Sequence, residues 1–135
     1  MKRTYVDAGV LIAAARGNGK LGTVALSVIA DESREFVCSD YVKLEVVPKP
    51  TYFGRTTEVR FYETFFGNAS KWLSFDDADL ERALEEACKS GLSGLDAVHV
   101  VVAAGSGCQE LPTSERPGSA IHRTKLIPIT SIDTD

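Results

Sequence analysis

A carboxylate begins the most apolar helix that the sequence predicts. The run 91–105 predicts a helix that Ser93 or Gly94 caps and a later glycine ends. A helix that is apolar nearly all round belongs inside a domain. Asp96 lies in its first turn, where the helix dipole favours a negative charge. Asp96 is therefore either a plain helix-starting residue or an acid that faces a site.

Two further acids and a threonine are expected at strand ends. Asp7 follows a short predicted strand at 3–6, and Thr113 and Glu115 lie at the end of a weaker one at 110–113. In open parallel sheets, functional groups collect at the carboxyl ends of strands, near the point where strand order reverses. Asp7 could instead only cap the next helix, and Glu115 could be a solvated loop acid. Their common placement favours a site shared with Asp96.

Glu45 lies on an apolar face of a predicted helix, residues 41–47, beside Tyr41 and Val42. A carboxylate there needs a partner, because burying it uncompensated is costly. Converging acids repel each other and take up protons, and a divalent cation removes that repulsion. Oxygen ligands favour Mg²⁺ or Mn²⁺, and the expected chemistry is phosphodiester hydrolysis. The predicted ligands are Asp7, Glu45, Asp96 and Glu115, with Thr113 orienting a neighbouring group.

The composition is that of an ordinary globular protein. With 135 residues, 44% of them hydrophobic and 25% charged, the sequence predicts one domain over 1–135. Its net charge of −4 argues against non-specific nucleic-acid binding through a basic surface. The cysteines are odd in number and lack a CxxC spacing, which predicts core thiols in a reducing cytoplasm. No apolar run approaches a membrane span, so a cytoplasmic location without membrane contact is expected.

Strands alternate with helices along the chain, which predicts an α/β fold with a mainly parallel sheet. The strands are expected at 3–6, 35–38, 71–75, 110–113 and 125–129, and the main helices at 8–16, 21–30, 41–47, 51–66, 78–89 and 94–105. Pro48 and Pro50 are expected to stop the third helix. The helix 78–89 is expected to be amphipathic, with an apolar side formed by Leu80, Ala83, Leu84, Ala87 and Cys88. The tail from 131 is expected to fray.

Three segments resemble the motifs of PIN-domain nucleases, in particular the VapC-type toxins of VapBC toxin–antitoxin pairs. They are residues 5–12 (YVDAGVLI), 39–46 (SDYVKLEV) and 91–99 (GLSGLDAVH). The resemblance implies a three-layer α/β/α sandwich, a metal-dependent ribonuclease, a homodimer and inhibition by a small antitoxin. It also implies that Asp7, Glu45 and Asp96 form the acidic site. Glu115 stands where the family commonly has Asp.

Other residues carry weaker expectations. His99 is expected to be packed and hydrogen-bonded and not to be a metal ligand. A basic segment could contact RNA phosphates; its residues are Arg116, His122, Arg123 and Lys125. The helix 51–66 could cover a dimer interface through Tyr62, Phe65 and Phe66.

Two alternative functions stay open at this point. One is a PIN-like binding module with an impaired site that acts through a protein partner, which the Glu115 substitution and the net charge favour. The other is a receiver-like phosphoacceptor domain that uses Asp7, Thr113 and Lys125. It predicts paired acids at the first strand, where the sequence has only one, and it leaves Glu45 and Asp96 unexplained.

Overall fold

Parallel strands form the centre of the molecule. The computed structural model describes residues 1–134, and its strands are β1 (Lys2–Tyr5), β2 (Arg34–Ser39), β3 (Lys71–Leu73), β4 (Leu111–Thr113) and β5 (Ile129–Ser131). β2 pairs with β1 and β3, and β4 pairs with β5, all in parallel. A parallel bridge from Thr4 to Glu110 joins the two groups. The spatial order is therefore 3-2-1-4-5, and the strand order reverses between β1 and β4.

Helices cover the sheet and give the expected α/β/α arrangement. They are α1 (Ala8–Arg16), α2 (Gly19–Ile29), α3 (Asp40–Val46), α4 (Pro48–Tyr52), α5 (Thr56–Gly67), α6 (Asp77–Ser90) and α7 (Gly94–Gly105), followed by a 3-10 helix, Ala120–Arg123. α1 packs against α2, α3 and α5, whereas α6 packs against α7. None of the helices within residues 1–134 is long and apolar enough to cross a membrane.

Local sequence signals explain where several helices begin. The Asp7 carboxylate caps α1 by accepting the N–H of Val10 at 3.0 Å. Asp76 and Asp79 form a reciprocal capping box at the start of α6. Ser93 caps α7, as predicted, and most of that helix is buried. The apolar α7 therefore supplies a large part of the core beside the central strand β1.

The third helix ends before Pro48, as predicted, but the helix that follows begins earlier than expected. Pro48 begins a second short helix, α4, and Pro50 lies inside it. A proline is compatible with the first turn of a helix, because the N–H groups there have no intrahelical partner. The predicted helix 51–66 is accordingly two helices, and Gly54 with φ of +69° lies in the turn between them.

The last strand lies later than predicted. β5 covers Ile129–Ser131 rather than 125–129, because Leu111 of β4 pairs with Ile129. The tail is not frayed at Ile132, which is 7% exposed and donates its N–H to the Thr113 carbonyl at 2.9 Å. Asp135 lies outside the described residues.

The predicted apolar side of α6 is only partly confirmed. Ala83 is buried and Ala87 is partly buried, whereas Leu80 and Leu84 are 58% and 65% exposed and Cys88 is exposed. Cys38 and Cys108 are buried, as predicted. In α5, Tyr62 and Phe65 are buried in the core of the chain itself, and Phe66 is partly buried against it. Tyr62 and Phe65 therefore have no free surface for the dimer interface that the sequence suggested.

A buried ion pair joins the amino-terminal half of the sheet. Arg34 of β2 contacts the carboxylate of Glu110 and donates to the Thr4 hydroxyl at 3.0 Å. The Thr130 hydroxyl donates to the other Glu110 oxygen at 2.6 Å. Burial raises the pKa of Glu110, but the bonds from Thr130 and Arg34 hold it below its ordinary value. This cluster connects β1, β2 and β5.

Candidate functional site

Thr113 connects the carboxyl ends of the two strands at the point where the strand order reverses. Its hydroxyl donates to Oδ2 of Asp7. Asp7 lies two residues after the end of β1, and Val6 is between them. The same hydroxyl accepts the N–H of Glu115 at 3.1 Å. Thr113 is completely buried, so its one hydroxyl holds the Asp7 carboxylate and the Glu115 backbone in fixed positions. These three predicted site residues therefore lie together.

The Asp7 carboxylate is held in an environment that disfavours its charge. Burial raises the pKa of Asp7, and bonds from the Thr113 hydroxyl and from the backbone N–H groups of Val10 and Ser114 oppose that rise without cancelling it. The space beside it is also tight, because a Cβ on Gly9 would lie 1.8 Å from Oγ of Ser114. A buried carboxylate with a raised pKa gains from a nearby cation.

The partner of Glu45 is His99. The sequence predicted that Glu45 needs a partner, because it lies beside apolar residues on α3. Nε2 of His99 lies 2.5 Å from Oε1 of Glu45, and the Glu45 side chain is 30% exposed. The opposite ring nitrogen lies 2.6 Å from the Tyr5 hydroxyl, which lies 2.7 Å from Oγ of Ser39. The prediction that His99 is packed and hydrogen-bonded is confirmed.

Asp96 links the two halves of the site electrostatically. Its N–H donates to Oγ of Ser93 at 3.2 Å, which places the half-buried carboxylate in the first turn of α7. Burial raises the pKa of Asp96, and the carboxylates of Glu115 and Glu45 raise it further, whereas Ser93 and His99 lower it. The carboxylates of Glu115 and Glu45 are therefore each close enough to repel the carboxylate of Asp96.

The donor set fits a hard divalent cation. Within residues 1–134, no three His, Cys, Asp or Glu side chains already form a group with the arrangement of a metal site. The carboxylates at this edge nevertheless supply only oxygen, which is the ligand that Mg²⁺ and Mn²⁺ prefer. Burial raises the pKa of both Asp7 and Asp96, and a bound cation would stabilise their ionised forms. The residues predicted to hold such a cation remain Asp7, Glu45, Asp96 and Glu115.

Tyr5 and Ser39 are site residues that the sequence interpretation missed. Ser39 lies at the N-cap position of α3, yet its side chain makes no capping bond and is bonded to Tyr5. A tyrosine in a central strand was a usable signal, because a buried hydroxyl needs a partner. The basic segment is only partly available for phosphates, since Arg123 donates to the carbonyls of Ser90 and Gly91.

Comparisons with known proteins agree with this arrangement. The model of the PIN domain family matches residues 4–116. The comparison with curated protein sequences gave no significant match. Among solved structures, the chain is similar to VapBC2 from Rickettsia felis bound to a DNA fragment from their promoter, with 10% identity, 96% of this chain and 98% of that chain covered and a TM-score of 0.72.

Two further solved structures are similar to the chain. DNA-bound VapBC from Salmonella typhimurium has 15% identity, a TM-score of 0.68 and coverage of 98% of this chain and 99% of that chain. A toxin–antitoxin complex from Klebsiella pneumoniae has 15% identity, a TM-score of 0.63 and coverage of 83% of this chain and 86% of that chain. At these identities the likeness concerns the fold.

Proposed function

Because the chain belongs to the PIN domain family, we propose that it is a metal-dependent endoribonuclease that hydrolyses RNA phosphodiester bonds. The observation that carries the proposal is the placement of Asp7, Thr113 and Glu115 where the strand order reverses, between β1 and β4, with Asp96 close enough to Glu115 and Glu45 for their charges to raise its pKa. Acids gathered at this edge fit a site for phosphate chemistry, because they can hold cations that bind the substrate phosphate.

The residues of the site divide the work between them. Asp7, Glu45, Asp96 and Glu115 are proposed to hold Mg²⁺ or Mn²⁺. When bound, the cation would activate a water molecule and stabilise the charge that develops on the phosphate. Thr113 holds the Asp7 carboxylate by its hydroxyl bond, and His99 holds Glu45. The half-exposed positions of Asp96 and Glu45 leave the site open to solvent on one side.

We further propose that the protein is the toxin of a toxin–antitoxin pair, acting in the cytoplasm as a homodimer with a small antitoxin as its partner. The support is the similarity in fold to VapBC assemblies and to a toxin–antitoxin complex. If this is correct, expression of the wild-type chain alone in a bacterial host arrests growth. The variant Asp7→Asn should not arrest growth at the same protein level.

The decisive experiment is cleavage of a labelled, mixed RNA pool with Mn²⁺, with Mg²⁺ or with a chelator. We expect metal-dependent cutting by the wild type and none by Asp7→Asn or Asp96→Asn. Asp77→Asn is the matched control. Asp77 lies in the first turn of α6, as Asp96 lies in the first turn of α7, but Asp77 is exposed and outside the site. Asp77→Asn should cut like the wild type.

A PIN-like binding module with an impaired site is the second candidate. The observation in its favour is Glu115 at the position where the related motif commonly has Asp. It predicts a wild-type chain that neither cuts RNA nor binds Mn²⁺ in calorimetry, while binding of a protein partner persists. That combination of results contradicts the nuclease proposal.

A further inference from the structure

A line of buried hydrogen bonds leads from the interior to Glu45. It joins Oγ of Ser39 to the Tyr5 hydroxyl at 2.7 Å, Tyr5 to Nδ1 of His99 at 2.6 Å, and Nε2 of His99 to Oε1 of Glu45 at 2.5 Å. Ser39, Tyr5 and His99 are each at most 3% exposed. Only the Glu45 end reaches the partly solvated site.

The chemistry of these groups fixes the direction of the last bond. An ionised Glu45 carboxylate can only accept, so Nε2 of His99 must carry a proton and donate it. The buried Tyr5 hydroxyl has one proton and two partners, so it donates one of its two bonds and accepts the other. With a neutral imidazole, Ser39 donates to Tyr5 and Tyr5 donates to Nδ1. With an imidazolium, the first two bonds reverse, but Nε2 still donates to Glu45.

His99 has no ring nitrogen left for a metal ion. Nδ1 is engaged with Tyr5 and Nε2 with Glu45, and the ring is almost completely buried. Any effect of His99 on a bound cation therefore passes through the carboxylate that it holds. Partners of this kind fix the orientation of metal-ligating carboxylates in many sites.

We propose that His99, held in its tautomer and orientation by Tyr5 and Ser39, is a positioning residue that fixes the Glu45 carboxylate as a metal ligand. This inference rests on the proposed function, because it takes Glu45 to be a ligand. The bond joins α3 to α7 across 54 residues of sequence. Glu45 would otherwise be a long side chain free to rotate on an exposed helix face, and ordering it would reduce the affinity for the cation.

The test is titration of the intact protein with Mn²⁺ in a calorimeter, together with nitrogen-15 NMR of the histidine rings. We expect His99→Leu to weaken Mn²⁺ binding by about 10–100-fold. His99→Gln should recover most of the affinity, because its amide N–H can reach the position of Nε2. Tyr5→Phe should weaken binding less than His99→Leu does. In the wild type, the NMR spectrum should show a proton on Nε2 of His99.

Tyr62→Phe is the matched control for Tyr5→Phe. Tyr62 is also fully buried and donates its hydroxyl to a carboxylate, Oε2 of Glu58 at 2.7 Å, but it lies in α5 outside the site. Its Mn²⁺ affinity should equal that of the wild type. If His99→Leu does not fold, Tyr5→Phe against Tyr62→Phe and the NMR spectrum decide the question.

The outcomes separate this inference from the proposed function. Equal Mn²⁺ affinity in folded His99→Leu and wild type, or equal affinity in folded Tyr5→Phe and Tyr62→Phe, overturns the inference alone. A wild-type spectrum in which Nε2 of His99 carries no proton does the same. If the wild type itself binds no Mn²⁺, the proposed function fails, and the positioning role fails with it.

Discussion

Replacing Thr113 by valine should destabilise the protein through the two bonds of one buried hydroxyl. The hydroxyl donates to the Asp7 carboxylate and accepts the Glu115 N–H at 3.1 Å. A hydrogen bond to a charged group contributes about 1.5–3 kcal/mol to the free energy of unfolding. A hydrogen bond to a loop N–H that can bond to water instead contributes about 0.5–1 kcal/mol. The free energy of unfolding should therefore fall by about 2–4 kcal/mol at neutral pH.

The pH dependence of this loss follows from Asp7. Burial holds the pKa of Asp7 above its ordinary value in the folded protein, and the Thr113 bond opposes that rise. Ionised Asp7 thus costs the folded state stability, and the cost appears as pH rises through the folded pKa. Removing the hydroxyl raises this pKa further. The loss in Thr113→Val should accordingly be larger at neutral pH than in mild acid.

Urea unfolding followed by circular dichroism measures the free energy of unfolding at neutral pH and in mild acid. An equal dependence of this free energy on urea concentration checks that the variant and the wild type expose similar surface on unfolding. Thr113→Ser is the control, because it keeps the hydroxyl and removes only a methyl group. It should lose about 1 kcal/mol at both pH values. The reasoning is refuted if Thr113→Ser loses as much as Thr113→Val, or if the loss in Thr113→Val does not change with pH.

Three further changes test other parts of the structure. Asp96→Asn should raise the melting temperature of the metal-free protein by a few degrees at neutral pH and by less in mild acid, because burial and neighbouring carboxylates raise the pKa of Asp96. Gly9→Ala should cost about 1–3 kcal/mol, because the new Cβ would lie 2.9 Å from Cβ of Ser114; adding Ser114→Gly should recover most of it. Arg34→Met should cost about 1.5–3 kcal/mol, because buried Glu110 loses its bond to the guanidinium and keeps Lys2, at 3.4 Å, as its cation; Glu110→Gln in the same chain should reduce that loss.

Thermal melting in a chelator checks the first of these changes, and urea unfolding of single and double variants checks the other two. A lower melting temperature in Asp96→Asn, with no pH dependence, contradicts the assigned charge repulsion. Additive losses in Gly9→Ala with Ser114→Gly contradict the steric account. Likewise, an Arg34→Met loss that Glu110→Gln does not reduce contradicts the account of the ion pair.

The local signals in the sequence were sufficient for the positions of the acids. Asp7 follows an apolar strand, and Asp96 opens an apolar helix, so strand-end and helix-start rules place both. Glu45 was found because an acid on an apolar face needs a partner. The sequence could not show that Tyr5 holds His99, the partner of Glu45. Tyr5 and His99 are 94 residues apart, and only the folded chain brings them together.

The errors in the fold arise where two local interpretations have equal support. Pro48 follows the end of one helix, as predicted, and also begins the next, α4, whose existence depends on packing against α3 and α5. The apolar run around Ile127 and Ile129 suits a strand in either of two positions, and pairing with Leu111 selects the later one. In α6, Leu84 could face the core or solvent, and the close approach of α7 decides for solvent.

The long sequence separations within the site have a consequence for the protein during synthesis. Asp7 and its partner Thr113 are 106 residues apart, and Glu115 is held only through Thr113. A ribosome releases Asp7, Glu45 and Asp96 before it releases Thr113, and β5, which pairs with β4, emerges after Thr113. A growing chain therefore lacks an assembled acidic edge until these segments have emerged. Any activity that depends on this edge starts only after the synthesis of β4 and β5.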